Sequence, residues 1–418
     1  MTGLWVPCWA ASPQPIAPDD LPPAPYTRDG VTLADSTLRQ TLRVSATARL
    51  LRLRICNGYG EAPLEVADVY LARPAGGRAG AGAIQPGTGH RVTFDGRASA
   101  TVPAGGEVAC DPVGFAVEAG DNVCVTMYLP GGLPAAGLTG HPGSRTTSHL
   151  APGNQARQVD LAGATAVEHW YLLSGVEACS PPSTAAAAAV MLGDSLTDGR
   201  GSTTNGNDRW PDRLMDRLRA DPATAHVAIV NAGIGGNRVL NDGLGPSGLS
   251  RLGRDALDRA GVAWLVVFEG VNDIGTAEAT EAAQRRVVDE LIAAYEEVAR
   301  RAGAAGIRVY GATLSPFGGN PEYDDPGGTR AASRRAVNDW IRTAGRFDAT
   351  LDFDRAVRDP ADPGRLLPAY DVGDHLHLNP AGYQALADAV PVEVFQPLAR
   401  SKVSSETPSA GGQHVSNS

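Results

Sequence analysis

Ala187-Ala188-Ala189-Val190-Met191-Leu192-Gly193-Asp194-Ser195-Leu196-Thr197-Asp198-Gly199 is the stretch that decides the fold. A short unbroken apolar run ends in glycine and is followed by small polar residues able to start a helix. An apolar run of that length reads as a strand that ends where a helix can begin. Downstream the pattern recurs at Val227 to Val230, Val262 to Phe268, Ile307 to Ala312 and Ala349 to Phe353, with helical segments between. The clearest of these runs from about Glu278 to Ala302, where Val287, Val288, Leu291, Ile292, Tyr295 and Val298 recur at helical spacing. Five strands alternating with helices predict an α/β fold with a parallel sheet.

Upstream the pattern changes. From Thr41 to about Leu129 apolar and polar residues alternate, as in Leu51-Arg52-Leu53-Arg54-Ile55, and Gly and Pro clusters punctuate the runs. Period-two alternation broken by turns predicts an antiparallel β-sandwich. The segment Pro130 to Thr184 is rich in Gly, Pro, Ser and Thr, with one strand expected at His169 to Leu173, and reads as a connection. The expected division is therefore 1–182 for a β-sandwich with its connection, 183–400 for the α/β part, and 401–418 for a disordered tail almost without apolar residues.

Composition narrows the function. The 418 residues carry a formal net charge of −10, which argues against a nucleic-acid partner, since phosphate binding needs clustered Lys and Arg. No run approaches the roughly 18 apolar residues of a membrane span. The N-terminal residues have neither the basic nor the apolar region of a secretory signal, so the expectation is a cytoplasmic protein, or a secreted one whose signal was trimmed. Five cysteines, Cys8, Cys56, Cys110, Cys124 and Cys179, form no metal or redox spacing. Buried thiols are the default, with a disulfide in the first half left open.

Four segments carry candidate chemistry. Gly193-Asp194-Ser195 follows a strand, and parallel sheets bind ligands beyond the carboxyl ends of their strands. A serine there can act as nucleophile, although Ser and Asp beside Gly equally make an ordinary turn and helix cap. Asn231-Ala232-Gly233-Ile234-Gly235-Gly236-Asn237 follows the next strand and offers backbone amides to a substrate oxygen, Gly236 foremost. A dinucleotide loop is excluded because Arg238 stands where the third glycine belongs. Gly270-Val271-Asn272-Asp273 places a side-chain amide able to donate to an oxyanion, or else an Asx-turn. In Asp374-His375-Leu376-His377-Leu378-Asn379-Pro380 the Asn-Pro pair starts a helix, and Asp374 can orient His377 as a base. His375 is the rival base. A metal site on His375 and His377 is disfavoured because no further ligands cluster nearby in sequence.

Together these blocks, in this order and after successive strands, resemble the signature of the SGNH (GDSL-type) esterases and lipases. The resemblance spans about Ala187 to Ala389. It implies a flavodoxin-like three-layer hydrolase part, with Ser195 as nucleophile, Asp374 and His377 completing a catalytic triad, and Ser195, Gly236 and Asn272 forming the oxyanion hole. Trp5 to Pro13, Asn57-Gly58-Tyr59-Gly60 and Asp111-Pro112-Val113 resemble a two-domain bacterial subgroup with a jelly-roll-like N-terminal β domain, described as aryl- or carbohydrate esterases and commonly secreted. The implied activity is hydrolysis of short-chain or acetyl esters, small or saccharide-linked, through an acyl-enzyme and without metal or organic cofactor. Two rivals stay open: an acyltransferase using the same acyl-enzyme, and a carbohydrate-binding protein with an inactive hydrolase half. Oligomeric state is not readable from the sequence.

Overall fold

Apolar side chains that point alternately to the two faces of the parallel strands build two cores at once. The computed structural model describes residues 3–180 and 186–396. Five strands form one parallel sheet in the order Val227–Gly233, Ala187–Gly193, Val262–Phe268, Arg308–Ala312, Ala349–Leu351. With strands counted along the chain this is 2-1-3-4-5, the flavodoxin-like doubly wound order. Ala188, Val190 and Leu192 point to one core and Ala189 and Met191 to the other, as the two-residue period of a strand requires. The first core receives helices Glu281–Ala304 and Thr329–Thr343, and the second receives Trp210–Ala220 and Pro380–Asp388. The three layers are helix, sheet and helix.

Helix Glu281–Ala304 begins where Thr280 caps it, accepting a hydrogen bond from the Ala283 amide. Its buried line is Gln284, Val287, Leu291, Ala294, Tyr295, Val298 and Ala302. Val288 and Ile292, expected in that face, lie at its half-buried margin.

The first half is antiparallel throughout. A five-stranded sheet includes Leu4–Ala10, Leu173–Ser180, Ala48–Cys56 and Val113–Val117; an eight-stranded sheet centres on Val31–Arg43, Asn122–Pro134 and Leu64–Ala72. The segment expected to be mostly connection is richer in structure than its composition suggests. Thr139–His141, Ser148–Pro152, Thr165–Val167, Trp170–Tyr171 and Leu173–Ser180 are all strands. Strands of two to five residues are too short to display a clear alternation, so the turn-forming residues around them masked them. Leu173–Ser180 also pairs between Leu4–Ala10 and Ala48–Cys56, closing the first half. The link at 181–185 and the proposed tail at 401–418 lie outside the described residues.

No disulfide joins the cysteines: all five are free, and all but Cys179 are buried. Burial pushes the Cys56, Cys110 and Cys124 thiols up to about 11, so they stay protonated and packed as small apolar groups. Among the described residues no helix is long and apolar enough to cross a membrane.

Candidate active site

The site gathers at the carboxyl ends of three adjacent strands. Strand Ala187–Gly193 ends in a tight turn at Asp194, whose carboxylate caps the following turn of helix, Ser195–Asp198, by accepting from the Leu196 amide. A Cβ on Gly193 would lie 2.2 Å from Thr197 Oγ1 and 2.6 Å from the Phe268 carbonyl oxygen, so only glycine allows this turn against the neighbouring strand. Burial raises Asp194 well above the ordinary carboxylate range, against the lowering effect of the Leu196 amide.

Ser195 is 5% exposed, and its Oγ lies 2.8 Å from His377 Nε2. The loop before helix Pro380–Asp388 presents His377; Asn379 caps that helix by accepting from the Ala381 and Gly382 amides. His377 Nδ1 is 2.6 Å from Asp374 Oδ2, and Asp374 Oδ1 accepts the amides of Leu376 and His377. One carboxylate thus folds the loop and fixes the imidazole. Burial works to raise Asp374, but the His377 amide and ring and the Leu376 amide outweigh it and hold the group below its usual value. Burial lowers His377 more than Asp374 raises it, and the charges of Arg200 and Arg145 lower it further. The ring is therefore a neutral imidazole at neutral pH. Nδ1 donates to Asp374, and Nε2 is left to accept from Ser195.

His375 occupies a different place. It has φ +62°, its Nδ1 lies 2.7 Å from Asp371 Oδ2, and its side chain is 45% exposed. The two histidines therefore engage different carboxylates.

The second loop is tied to the first by a hydrogen bond from the Ile234 amide to the Gly193 carbonyl. Gly236 has φ +68°, and a Cβ there would come 2.6 Å from Leu244 Cδ1. Among the described residues, neither the Ser195 nor the Gly236 amide has an acceptor. Asn272 is buried, and its Nδ2 donates to the Asn237 carbonyl at 2.7 Å, committing one of its two hydrogens. Because the Asn237 carbonyl can only accept, it fixes which end of the amide is nitrogen, and Asn272 Oδ1 then accepts from Tyr323 Oη at 2.6 Å. Asp273 reaches across to accept the Val239 and Leu240 amides. Neither side chain closes the local Asx-turn that the sequence left open.

Several residues around the site escaped sequence reasoning. Tyr323 sits in a turn-rich loop, and burial pushes its phenol up to about 12, so it remains a donor. Asn320 holds that loop, accepting the Tyr323 amide and donating to the Asp374 carbonyl at 2.8 Å. Arg251, fully buried, donates to the carbonyls of Gly193 and Ala232 and to Asn237 Oδ1, pinning the first two loops from below. It lies 3.0 Å from Asp255 and 3.6 Å from Glu269, whose carboxyl burial pushes up to about 7. From the first half, His141 Nε2 meets Asp198 Oδ1 at 2.9 Å at the end of the Ser195 helix. Only Asp198 and Asn237 lay inside the quoted segments; the others carry no motif.

Residues 191–385 match the model of the GDSL-like lipase/acylhydrolase family. No curated protein matches the chain. Similar solved structures include a GDSL-like lipase from Bacteroides thetaiotaomicron, at 19% identity and TM-score 0.36 over 48% of this chain and 84% of that one. A carbohydrate acetylesterase from Sinorhizobium meliloti is similar at 16% identity and TM-score 0.37, over 50% of this chain and 98% of that one. A catalytic mutant of an acetylxylan esterase from Geobacillus stearothermophilus is similar at 18% identity and TM-score 0.36, over 49% and 91%. The α/β half of this chain is a GDSL-like lipase/acylhydrolase domain, and the protein is a carboxylic ester hydrolase.

Proposed function

We propose that the protein hydrolyses short-chain carboxylic esters, acetyl groups on sugars among them, through an acyl-enzyme on Ser195. The observation that carries this reading is the continuous hydrogen-bond chain from Ser195 Oγ through His377 to Asp374, at 2.8 and 2.6 Å. His377 Nε2 takes the serine proton as Oγ attacks the ester carbonyl, and Asp374 stabilises the imidazolium that forms. The same proton passes to the departing alcohol oxygen as the tetrahedral intermediate collapses. Water, deprotonated by His377, then attacks the acyl-enzyme and releases the acid. The oxyanion faces the amides of Ser195 and Gly236 and the second Nδ2 hydrogen of Asn272, fixed donors that strengthen as charge develops. Short acyl groups are favoured because Ser195 and His377 are each only 5% exposed, which leaves a restricted approach to the nucleophile.

A fluorophosphonate tests the assignment, since only a base-activated serine reacts readily with it. We expect stoichiometric inactivation with the adduct on Ser195 by mass spectrometry, and no labelling of Ser195→Ala. An inactivated enzyme modified elsewhere would overturn it.

Tyr323→Phe isolates the positioning of the Asn272 amide. Loss of one buried hydroxyl donor is expected to lower kcat about tenfold and KM little, on the scale of a single lost hydrogen bond. Unchanged kcat would mean that Asn237 alone holds the amide.

A further inference from the structure

We infer that the groove between the two halves, whose lining includes none of Ser195, His377 and Asp374, is a binding site for an oxyanion-bearing ligand, a carboxylate or phosphate group. The groove has a volume of about 530 Å³ and is lined by Arg78 and Asn122 from the first half and Arg213 and Asn207 from the second, together with the Arg43–Asp216 ion pair that joins the halves. Charge is its distinguishing feature. Asp216 is already taken by Arg43 at 2.7 Å, and among the described residues neither Arg78 nor Arg213 has a carboxylate partner. Two uncompensated guanidinium groups therefore face one concave surface on a chain whose net charge is −10.

Folding alone gives no reason for this arrangement. Arg213 Nε is buried without a hydrogen-bond acceptor among the described residues. A buried donor without a partner is costly, and such groups in native proteins call for an explanation. Arg213 stands on helix Trp210–Ala220, whose other arginines at Arg217 and Arg219 do find partners, in the Val390 carbonyl and in Asp216. An oxyanion in the groove would accept from the terminal guanidinium nitrogens of Arg213 and Arg78, in the charge-assisted contacts that such groups offer to carboxylate and phosphate. Polar neighbours can serve the rest of such a ligand. Asn207 Nδ2 gives one of its two hydrogens to Asn122 Oδ1 at 3.2 Å, leaving the other hydrogen and Asn207 Oδ1 open to a ligand hydroxyl. Charge together with hydroxyl acceptors describes an acidic saccharide; bare charge describes free phosphate.

Isothermal titration calorimetry at low ionic strength on the full chain distinguishes these, with inorganic phosphate, D-glucuronate and D-glucose as probes. One or both anions should bind and glucose should not; glucuronate alone marks a carboxylate site, phosphate alone a phosphate site. Arg213→Gln and Arg78→Gln should each weaken binding about tenfold or more, the scale of a lost charge-assisted hydrogen bond. Ser195→Ala and the surface control Arg300→Gln should leave it unchanged. Arg78 is exposed on a loop, so its variant keeps the test valid if Arg213→Gln does not fold. Absence of binding by both anions, equal binding of glucose, or binding indifferent to Arg78→Gln in the folded variant would overturn the inference.

Discussion

His377→Ala is expected to lower kcat by on the order of 10⁵–10⁶, the scale seen when the base of a serine–histidine pair is removed. His375→Ala should retain most activity. The contrast follows from where the rings are aimed: His377 Nε2 meets Ser195 Oγ at 2.8 Å, whereas His375 Nδ1 is held by Asp371 at 2.7 Å. Circular dichroism and thermal midpoints would separate loss of chemistry from loss of fold. The pH profile carries the same assignment. Burial lowers His377 below its ordinary value of 6.5, so the base stays neutral as pH falls through 6.5 and protonates only below it. The acid limb of kcat/KM, which reports the free enzyme's base, is therefore expected to have its midpoint below pH 6.5. A midpoint above that value, or a reversed dependence on the two histidines, would assign the wrong ring.

Asn272→Ala should lower kcat by about 10²–10³ with a smaller change in KM, because a donor to an oxyanion acts mainly in the transition state. Asn272 also donates to the Asn237 carbonyl and accepts from Tyr323, so the alanine variant should lose about 1–3 kcal/mol of stability. Stability and turnover must therefore be measured separately, with kinetics taken well below the thermal midpoint. A destabilised protein with near-normal kcat would leave Asn272 as a fastener between two loops.

The parallel sheet was legible because its strands are buried on both faces and read as unbroken apolar runs; Val262–Phe268 was bounded correctly from sequence alone. Ser195, Gly236 and Asn272 were offered for chemistry because their segments follow those strands directly at glycine-rich turns, and Asp374 and His377 because an Asn-Pro helix start comes directly after them. What supports them was not. Arg251 stands in a short helix, Gly248–Leu252, and resembles any surface arginine until the fold buries it under Gly193 and Ala232. Tyr323 meets Asn272 across a separation of 51 residues, so no local pattern announces it. The strands between Pro130 and Ser180 were hidden because most are only two to five residues long among turn-forming residues, while the longest, Leu173–Ser180, pairs with Ala48–Cys56 far away in sequence.

The buried contacts between the halves bear on modularity. One continuous core includes Val6, Cys8 and Ala10 of the first half together with Val190 and Val230 of the sheet. Ser45 Oγ accepts the Ile229 amide at 3.0 Å, and Ser12 Oγ contacts the buried Arg251 at 3.3 Å. Cutting the chain near 183 would present this apolar surface to water and remove the Ser45 and Ser12 hydroxyls from the Ile229 amide and Arg251. The β-rich half is thus not a cassette that recombination or engineering could exchange freely. Any graft of the α/β half onto another scaffold would have to carry the strand Leu4–Ala10 and the His141 loop with it, or rebuild their contacts from new residues.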